Sequence, residues 1–192
     1  MQMKVNNKWF ANKDYPLIIA SGALAKWKGF DDLIKAASFL KKNNVNFKLV
    51  IIGGGPEKSS LNKLIRSYRL NEKVIILKPV INTLKYFYKS DIFVLSSRVE
   101  GMPNVMIEAM MCGCTIVATN CLTGPREILG KNKYGYLSRV NDPYDLSNSI
   151  KKALKKKISL KKTKIIIDQF TSEKVIKRHF SLLKINRKYW MI

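Results

Sequence analysis

Two carboxylates, Glu100 and Glu108, bracket a segment with the makings of an anion site. Between them runs Gly101-Met102-Pro103-Asn104-Val105. Gly101 lets the backbone approach a ligand closely, and Pro103 suits the first turn of a helix, where a missing N–H costs nothing. The N–H groups of Asn104 and Val105 are then expected to stand free at the helix start, where the helix dipole adds attraction for a negative group. Carboxylates repel phosphate but accept hydrogen bonds from sugar hydroxyls. Glu100 ahead of the helix and Glu108 a turn or so inside it therefore suit hydroxyls on either side of a diphosphate. A nucleotide sugar has that layout: ribose, diphosphate, hexose. The plainer alternative is an ordinary loop glutamate and an acid near a helix N-terminus.

Other clusters carry less. Gly53-Gly54-Gly55-Pro56 has neither the Gly-Lys-Ser ending of a phosphate-binding loop nor the third glycine of a dinucleotide fingerprint. It reads as a tight strand-to-helix turn. Cys112, Cys114 and Cys121 are odd in number and lack both C-x-x-C spacing and a second pair, and the only histidine, His179, is far along the chain. They are expected to be buried, reduced thiols, with no metal site and no cofactor.

The elements that must position these residues are visible as short apolar runs between amphipathic stretches, the pattern of βα units on a parallel sheet. The runs are Leu17–Ala20, Phe47–Ile52, Val74–Leu77, Ile92–Leu95 and Thr115–Thr119, with Gly135–Leu137 a weaker sixth. Helical spacing joins Phe30 to Leu40, Leu61 to Tyr68, Val105 to Met110, Leu146 to Leu154 and Val175 to Leu183. Asp31 and Asp32 suit a first helical turn, and Gly113 a helix end. No repeat or linker divides the chain. The expected architecture is α/β, a single Rossmann-like doubly wound parallel sheet. In such a sheet ligands sit beyond the carboxyl ends of the strands, and the Glu100–Glu108 segment follows one of them.

The 192 residues suit one domain. No apolar run approaches the roughly 20 residues that span a bilayer, and Met1 to Tyr15 contains no apolar signal region. A cytoplasmic protein is expected. The net charge of +23 comes mainly from scattered lysine, densest from Lys151 to Lys164. That block reads either as a solvated helix face and loop or as a patch for an anionic membrane, which would make the protein peripheral at the inner membrane face. Nucleic acid is not expected, because no binding motif is present and the basic residues are not interleaved with stacking aromatics.

The stretch from Glu100-Gly101 to Glu108-Ala109, continuing through Cys112-Gly113 and Thr123-Gly124-Pro125-Arg126-Glu127-Ile128, resembles the E-x7-E region of family 4 glycosyltransferases. The likeness extends to Gly22 through Phe30, Gly53-Gly54-Gly55-Pro56, Lys133-Tyr134-Gly135-Tyr136-Leu137 and Phe170-Thr171-Ser172-Glu173. It covers roughly residues 16 to 185, in order. The resemblance implies the C-terminal, donor-binding half of a GT-B fold, in which two Rossmann-like domains face across a cleft. It implies a lead-in over 1–15, the donor domain over 16–170 and a crossing helix over 171–192. It implies retaining hexosyl transfer from a nucleotide diphosphate sugar, uridine-linked by family default, to a glycan or lipid. Residue by residue, Glu100 and the backbone of Gly101, Met102, Pro103, Asn104 and Val105 would hold donor sugar and diphosphate. Glu108 would bind ribose, Gly22 would line the substrate site, and Lys28 would pair with the diphosphate and stabilise its departure. The loop from Lys78 to Thr83 would lie near the base. The family's Gly-Arg-Leu triplet is here Gly22-Ala23-Leu24, so a second cation is missing unless Lys26 supplies it. An N-terminal acceptor-binding domain is the expected partner: either the chain is a fragment, or that half is a separate polypeptide, or it has been lost. A truncated, inactive nucleotide-sugar-binding domain is the alternative.

Overall fold

The apolar runs form strands because the sheet takes their residues out of water, almost fully in the four inner runs and partly in the two outer ones. In the computed structural model, which describes residues 5, 7–11, 14–171 and 173–176, these are β1 (Leu17–Ser21), β2 (Lys48–Ile52), β3 (Val74–Leu77), β4 (Ile92–Leu95), β5 (Thr115–Thr119) and β6 (Tyr136–Ser138). Ile18, Ala20, Leu49, Ile51 and Val94 pack on one side of the sheet, and their neighbours Leu17, Ile19, Val50, Ile52 and Phe93 on the other. Period-two alternation thus serves two cores at once, which is why the strands read as unbroken hydrophobics.

All neighbouring strands run parallel, in the order β3-β2-β1-β4-β5-β6. The chain steps outward from β1 to β3, then returns to place β4 on the other side of β1. The order reverses between β1 and β4, and loops leaving those two strands at their carboxyl ends border one crevice. The expected Rossmann-like sheet is therefore present.

Helices flank the sheet: α1 (Phe30–Lys42), α2 (Lys58–Ser67), α3 (Leu84–Phe87), α4 (Asn104–Met111), α5 (Pro125–Leu129), α6 (Pro143–Lys155) and α7 (Leu160–Ile167), and residues 173–176 are helical as well. Helix α1 buries Phe30, Leu33, Ile34, Ala37 and Leu40, the stripe predicted for it. Helices α3 and α5 have four and five residues, too few for a periodic signal. Helix α7 lies inside the lysine block and buries only Thr163 and Ile166, and Ser159 caps its start. The block is therefore split between the end of α6 and α7. Within the expected lead-in, Trp9 and Phe10 sit in the second core. The helix predicted from Val175 to Leu183 lies, beyond Ile176, outside the described residues. Among those residues no helix is long and apolar enough to cross a membrane.

Candidate functional site

The site is assembled where the loops after β1 and β4 meet. After β1, the chain is laced to the glycine turn by Leu24 N–H to Gly54 O at 2.9 Å and Glu57 N–H to Leu24 O at 3.0 Å. The turn Gly53-Gly54-Gly55-Pro56 thus acts structurally, as the sequence suggested. A 3-10 turn, Lys26–Lys28, follows and ends at Gly29, whose φ is 61°. A Cβ on Gly29 would lie 2.1 Å from Ser96 O, so only glycine admits this approach of the two loops. Ser96 Oγ donates to Lys28 O at 2.8 Å, and Arg98 N–H to Trp27 O at 2.7 Å.

This stitching brings together two residues 72 apart in sequence: Lys28 Nζ lies 2.6 Å from Glu100 Oε1. Ser97 Oγ donates to the same carboxylate oxygen at 2.5 Å. The lysine and glutamate side chains are 21% and 10% exposed, so the pair is sheltered yet open to a ligand. The Lys28 methylenes lie beside Gly22, whose added Cβ would be 3.7 Å from Cδ and Cε.

The loop after β5 fixes the other side. Thr123 Oγ1 donates to Glu100 O. Gly124, with φ 90°, packs so closely that a Cβ would fall 2.2 Å from Gly101 O and 2.6 Å from Pro103 Cδ. A Cβ on Gly101 itself would meet nothing within 4 Å, which leaves room beside that backbone.

Two local expectations need correction. Pro103 is the N-cap of α4, with φ −79° and ψ 81°, and not its first helical residue. At that ψ the chain turns sharply, and Asn104 N–H bonds to Met102 O at 3.0 Å instead of standing free. No side chain caps the helix, and Asn104 does not offer the free N–H expected of it. One turn on, Glu108 is half-buried, and its carboxylate makes no hydrogen bond or ion pair among the described residues.

A cleft of about 230 Å³ opens at the carboxyl ends of β1, β2 and β3, lined by Gly22, Ala23, Gly53, Pro79, Val80 and Thr83 among others. The loop from Lys78 to Thr83 therefore does reach Gly22. Lys26 goes elsewhere. Residues two apart on a 3-10 turn point about 120° away from each other, and Lys26 lines a separate groove of about 560 Å³ with Asp31, Lys35, Leu61 and Arg98. Lys28 is thus brought to Glu100, and Lys26 is not.

Sequence reasoning missed Ser97, Arg98 and Thr123. Asp31 and Asp32 do lie in the first turn of α1 as expected, and both also bond the Arg98 guanidinium. No local spacing joins residues so far apart. Cys114 and Cys121 are buried and Cys112 half-buried, all as free thiols. Burial pushes the Cys114 thiol far up, and the nearby Cys112 and Asp91 add to it. Among the described residues no three His, Cys, Asp or Glu side chains cluster to hold a metal.

Residues 2–169 match the model of the family described as glycosyl transferases group 1. The chain is 36% identical over 137 residues to the N-acetylgalactosamine-N,N'-diacetylbacillosaminyl-diphospho-undecaprenol 4-alpha-N-acetylgalactosaminyltransferase of Campylobacter jejuni, covering 71% of this chain and 37% of that protein. It is 35% identical over 126 residues to an uncharacterized glycosyltransferase of Haemophilus influenzae, covering 65% and 35%. The chain thus spans about a third of the length of these relatives. Among solved structures, a variant of S. aureus TarM in complex with fondaparinux, alpha-GlcNAc-glycerol and UDP superposes with a TM-score of 0.79 at 25% identity, covering 88% of this chain and 35% of TarM. Anabaena HepE in complex with UDP superposes with a TM-score of 0.78 at 19% identity, covering 89% and 49%. With the family match running almost the whole length of the sheet and its helices, the chain belongs to the group 1 glycosyltransferases.

Proposed function

We propose that this chain is the donor-binding half of a retaining glycosyltransferase, which moves a hexosyl group from a uridine diphosphate to a glycan or lipid acceptor. The observation that carries this reading is the Lys28–Glu100 pair at the crevice between β1 and β4, with the unpartnered Glu108 just inside α4. A diphosphate arriving there gives Lys28 a new charge-assisted partner and leaves Glu100 to accept from a hexose hydroxyl. Glu108 takes the ribose hydroxyls. Gly101, Met102, Pro103, Asn104 and Val105 lie against sugar and diphosphate, Gly22 underlies Lys28, and the base enters the cleft beside Pro79 and Thr83. In transfer, the C1–O bond to the diphosphate breaks and a C1–O bond to the acceptor oxygen forms on the same face. The acceptor hydroxyl passes its proton to the departing diphosphate oxygen on that same face, and the negative charge that develops on the diphosphate is met by Lys28 and the start of α4. The UDP bound in TarM and HepE supports a uridine donor.

Acceptor contacts fall to a further domain in this reading. Trp27, Ile81, Val99, Met102 and Leu122 are large, exposed apolar side chains, all on loops at the carboxyl edge of the sheet. They form the rim such a domain would face. The lysines of α6 and α7 offer a separate surface to an anionic membrane.

Ala23 favours a second reading. It stands at the cleft where the resemblance calls for arginine, and Lys26 is turned to the other groove. One cation then serves the diphosphate, as suits a nucleotide-sugar-binding domain without turnover.

Titration of UDP and uridine against the chain and Lys28→Gln tests the donor site. The substitution is expected to remove most of the preference for UDP over uridine while uridine affinity stands. Equal UDP affinity in both proteins would overturn the assignment.

A further inference from the structure

Arg98 joins four segments of the chain. Its guanidinium donates to both Asp31 oxygens, at 3.0 and 2.9 Å, and to Asp32 Oδ2 at 2.6 Å. Nε donates to Asn141 Oδ1 at 2.7 Å, on the loop before α6, and Nη1 to the carbonyl of Lys26. Lys35 completes the cluster, 3.4 Å from Asp31 and 3.2 Å from Asp32. An exposed ion pair contributes little, but this one is bidentate and networked, and the Asp32 side chain is only 9% exposed. The hydrogen bonds it donates to Asp31 hold the guanidinium in its charged form against partial burial.

The cluster sits two residues from each half of the candidate site. Lys26 precedes Lys28, and Arg98 precedes Glu100, by the same step. The Lys28–Glu100 pair cannot by itself keep the two loops in register, because a bound diphosphate would replace Glu100 as the partner of Lys28. The bonds of Ser96 Oγ to Lys28 O and of Arg98 N–H to Trp27 O survive ligand binding, and the Arg98 side chain extends that tie to the first turn of α1. Arg98 borders the groove between α1 and α2, and not the cleft at the ends of β1, β2 and β3. Its contacts are therefore untouched when that cleft fills.

We propose that Arg98 is a positioning residue, which ties the Lys26 carbonyl and the first turn of α1 to the loop after β4 and so fixes the span over which Lys28 and Glu100 reach one diphosphate sugar. This rests on the donor-site reading above. Arginine is needed for the fork geometry: a lysine there would supply charge without two parallel bonds to Asp31.

UDP binding is measured by calorimetry, with thermal unfolding alongside, for the unaltered chain, Arg98→Gln, Arg98→Lys, Lys28→Gln and the double variant Arg98→Gln/Lys28→Gln. Arg98→Gln is expected to weaken UDP binding roughly tenfold, since Lys28 held out of place loses its charge-assisted bond to the diphosphate. Arg98→Lys should recover little of it. The Arg98→Gln loss should shrink in the Lys28→Gln background, because the two act through one contact. Arg98→Gln binding UDP as the unaltered chain does, with only its unfolding temperature lowered, would overturn the proposal. So would losses that simply add. If Arg98→Gln does not fold, Asp31→Asn carries the same test: a several-fold loss is expected, and unchanged affinity overturns the proposal. Failure of the unaltered chain to bind any nucleoside diphosphate would instead strike the donor-site reading beneath it.

Discussion

Gly124→Ala probes the clamp on the donor loop. Gly124 has φ 90° and ψ −73°, a region closed to residues with a side chain, and forcing alanine into it costs about 1–3 kcal/mol. The new Cβ would lie 2.2 Å from Gly101 O and 2.6 Å from Pro103 Cδ, closer than Cβ atoms approach such neighbours. Overpacking of that kind costs about 1–3 kcal/mol more. The sum centres on about 4 kcal/mol, which for a domain of this size lowers the unfolding temperature by roughly 8–16 °C. The chain can relieve part of this by pushing Gly101 and Pro103 away and losing the Thr123–Glu100 hydrogen bond. Stability then suffers less and nucleotide binding more. Differential scanning fluorimetry and UDP titration on one preparation read both effects. An alanine variant with the unfolding temperature and UDP affinity of the unaltered chain would refute the reasoning.

Further expectations concern the site and its surroundings. Glu108→Gln should weaken UDP binding several-fold without lowering the unfolding temperature, since that carboxylate supports nothing else in the chain; unchanged affinity removes it from the ribose. Ala23→Arg should tighten UDP binding if the diphosphate lacks a second cation, and an unaltered or weaker titration would place that phosphate elsewhere. Burial alone would raise the Asp31 pKa, but the hydrogen bonds and charge of Arg98, aided by Lys35, outweigh it and the net shift is downward. A lowered folded pKa stabilises fully above the ordinary value of 3.8 and is lost as pH falls through the lowered one. The stability gap between the chain and Asp31→Asn in urea should therefore hold at neutral pH and close below that range, and a gap that persists in acid would contradict the network. Anionic vesicles should retain the chain at low salt and release it at high salt if the α6 and α7 lysines touch membranes; equal retention by neutral vesicles would rule out an electrostatic cause.

The sheet was legible because its strands bury both faces and so appear as apolar runs, each in a different segment. Helix α1 was legible because thirteen residues give a stripe room to repeat. Helices α3 and α5 are too short for that, and α7 has lysines where a stripe would show. At the candidate site, Glu100 and Glu108 drew attention by motif and spacing, and Lys28 only through the family resemblance. The Arg98 cluster was not, since its partners Asp31 and Asp32 lie 67 and 66 residues away and two acids in a first helical turn already have a local explanation. The bond of Asn104 N–H to Met102 O depends on one dihedral of Pro103, and the divergence of Lys26 from Lys28 on three residues of 3-10 geometry. Composition carries neither.

Thermal unfolding of the chain with UDP, GDP, ADP and their sugar conjugates tests the nucleotide-sugar site most directly. A ligand at about 100 times its Kd adds roughly 2.7 kcal/mol, a rise of roughly 5–11 °C for a domain of this size. The account predicts such a rise for one base, uridine, and its loss in Lys28→Gln. A cooperatively unfolding chain that shifts with none of these ligands would contradict it.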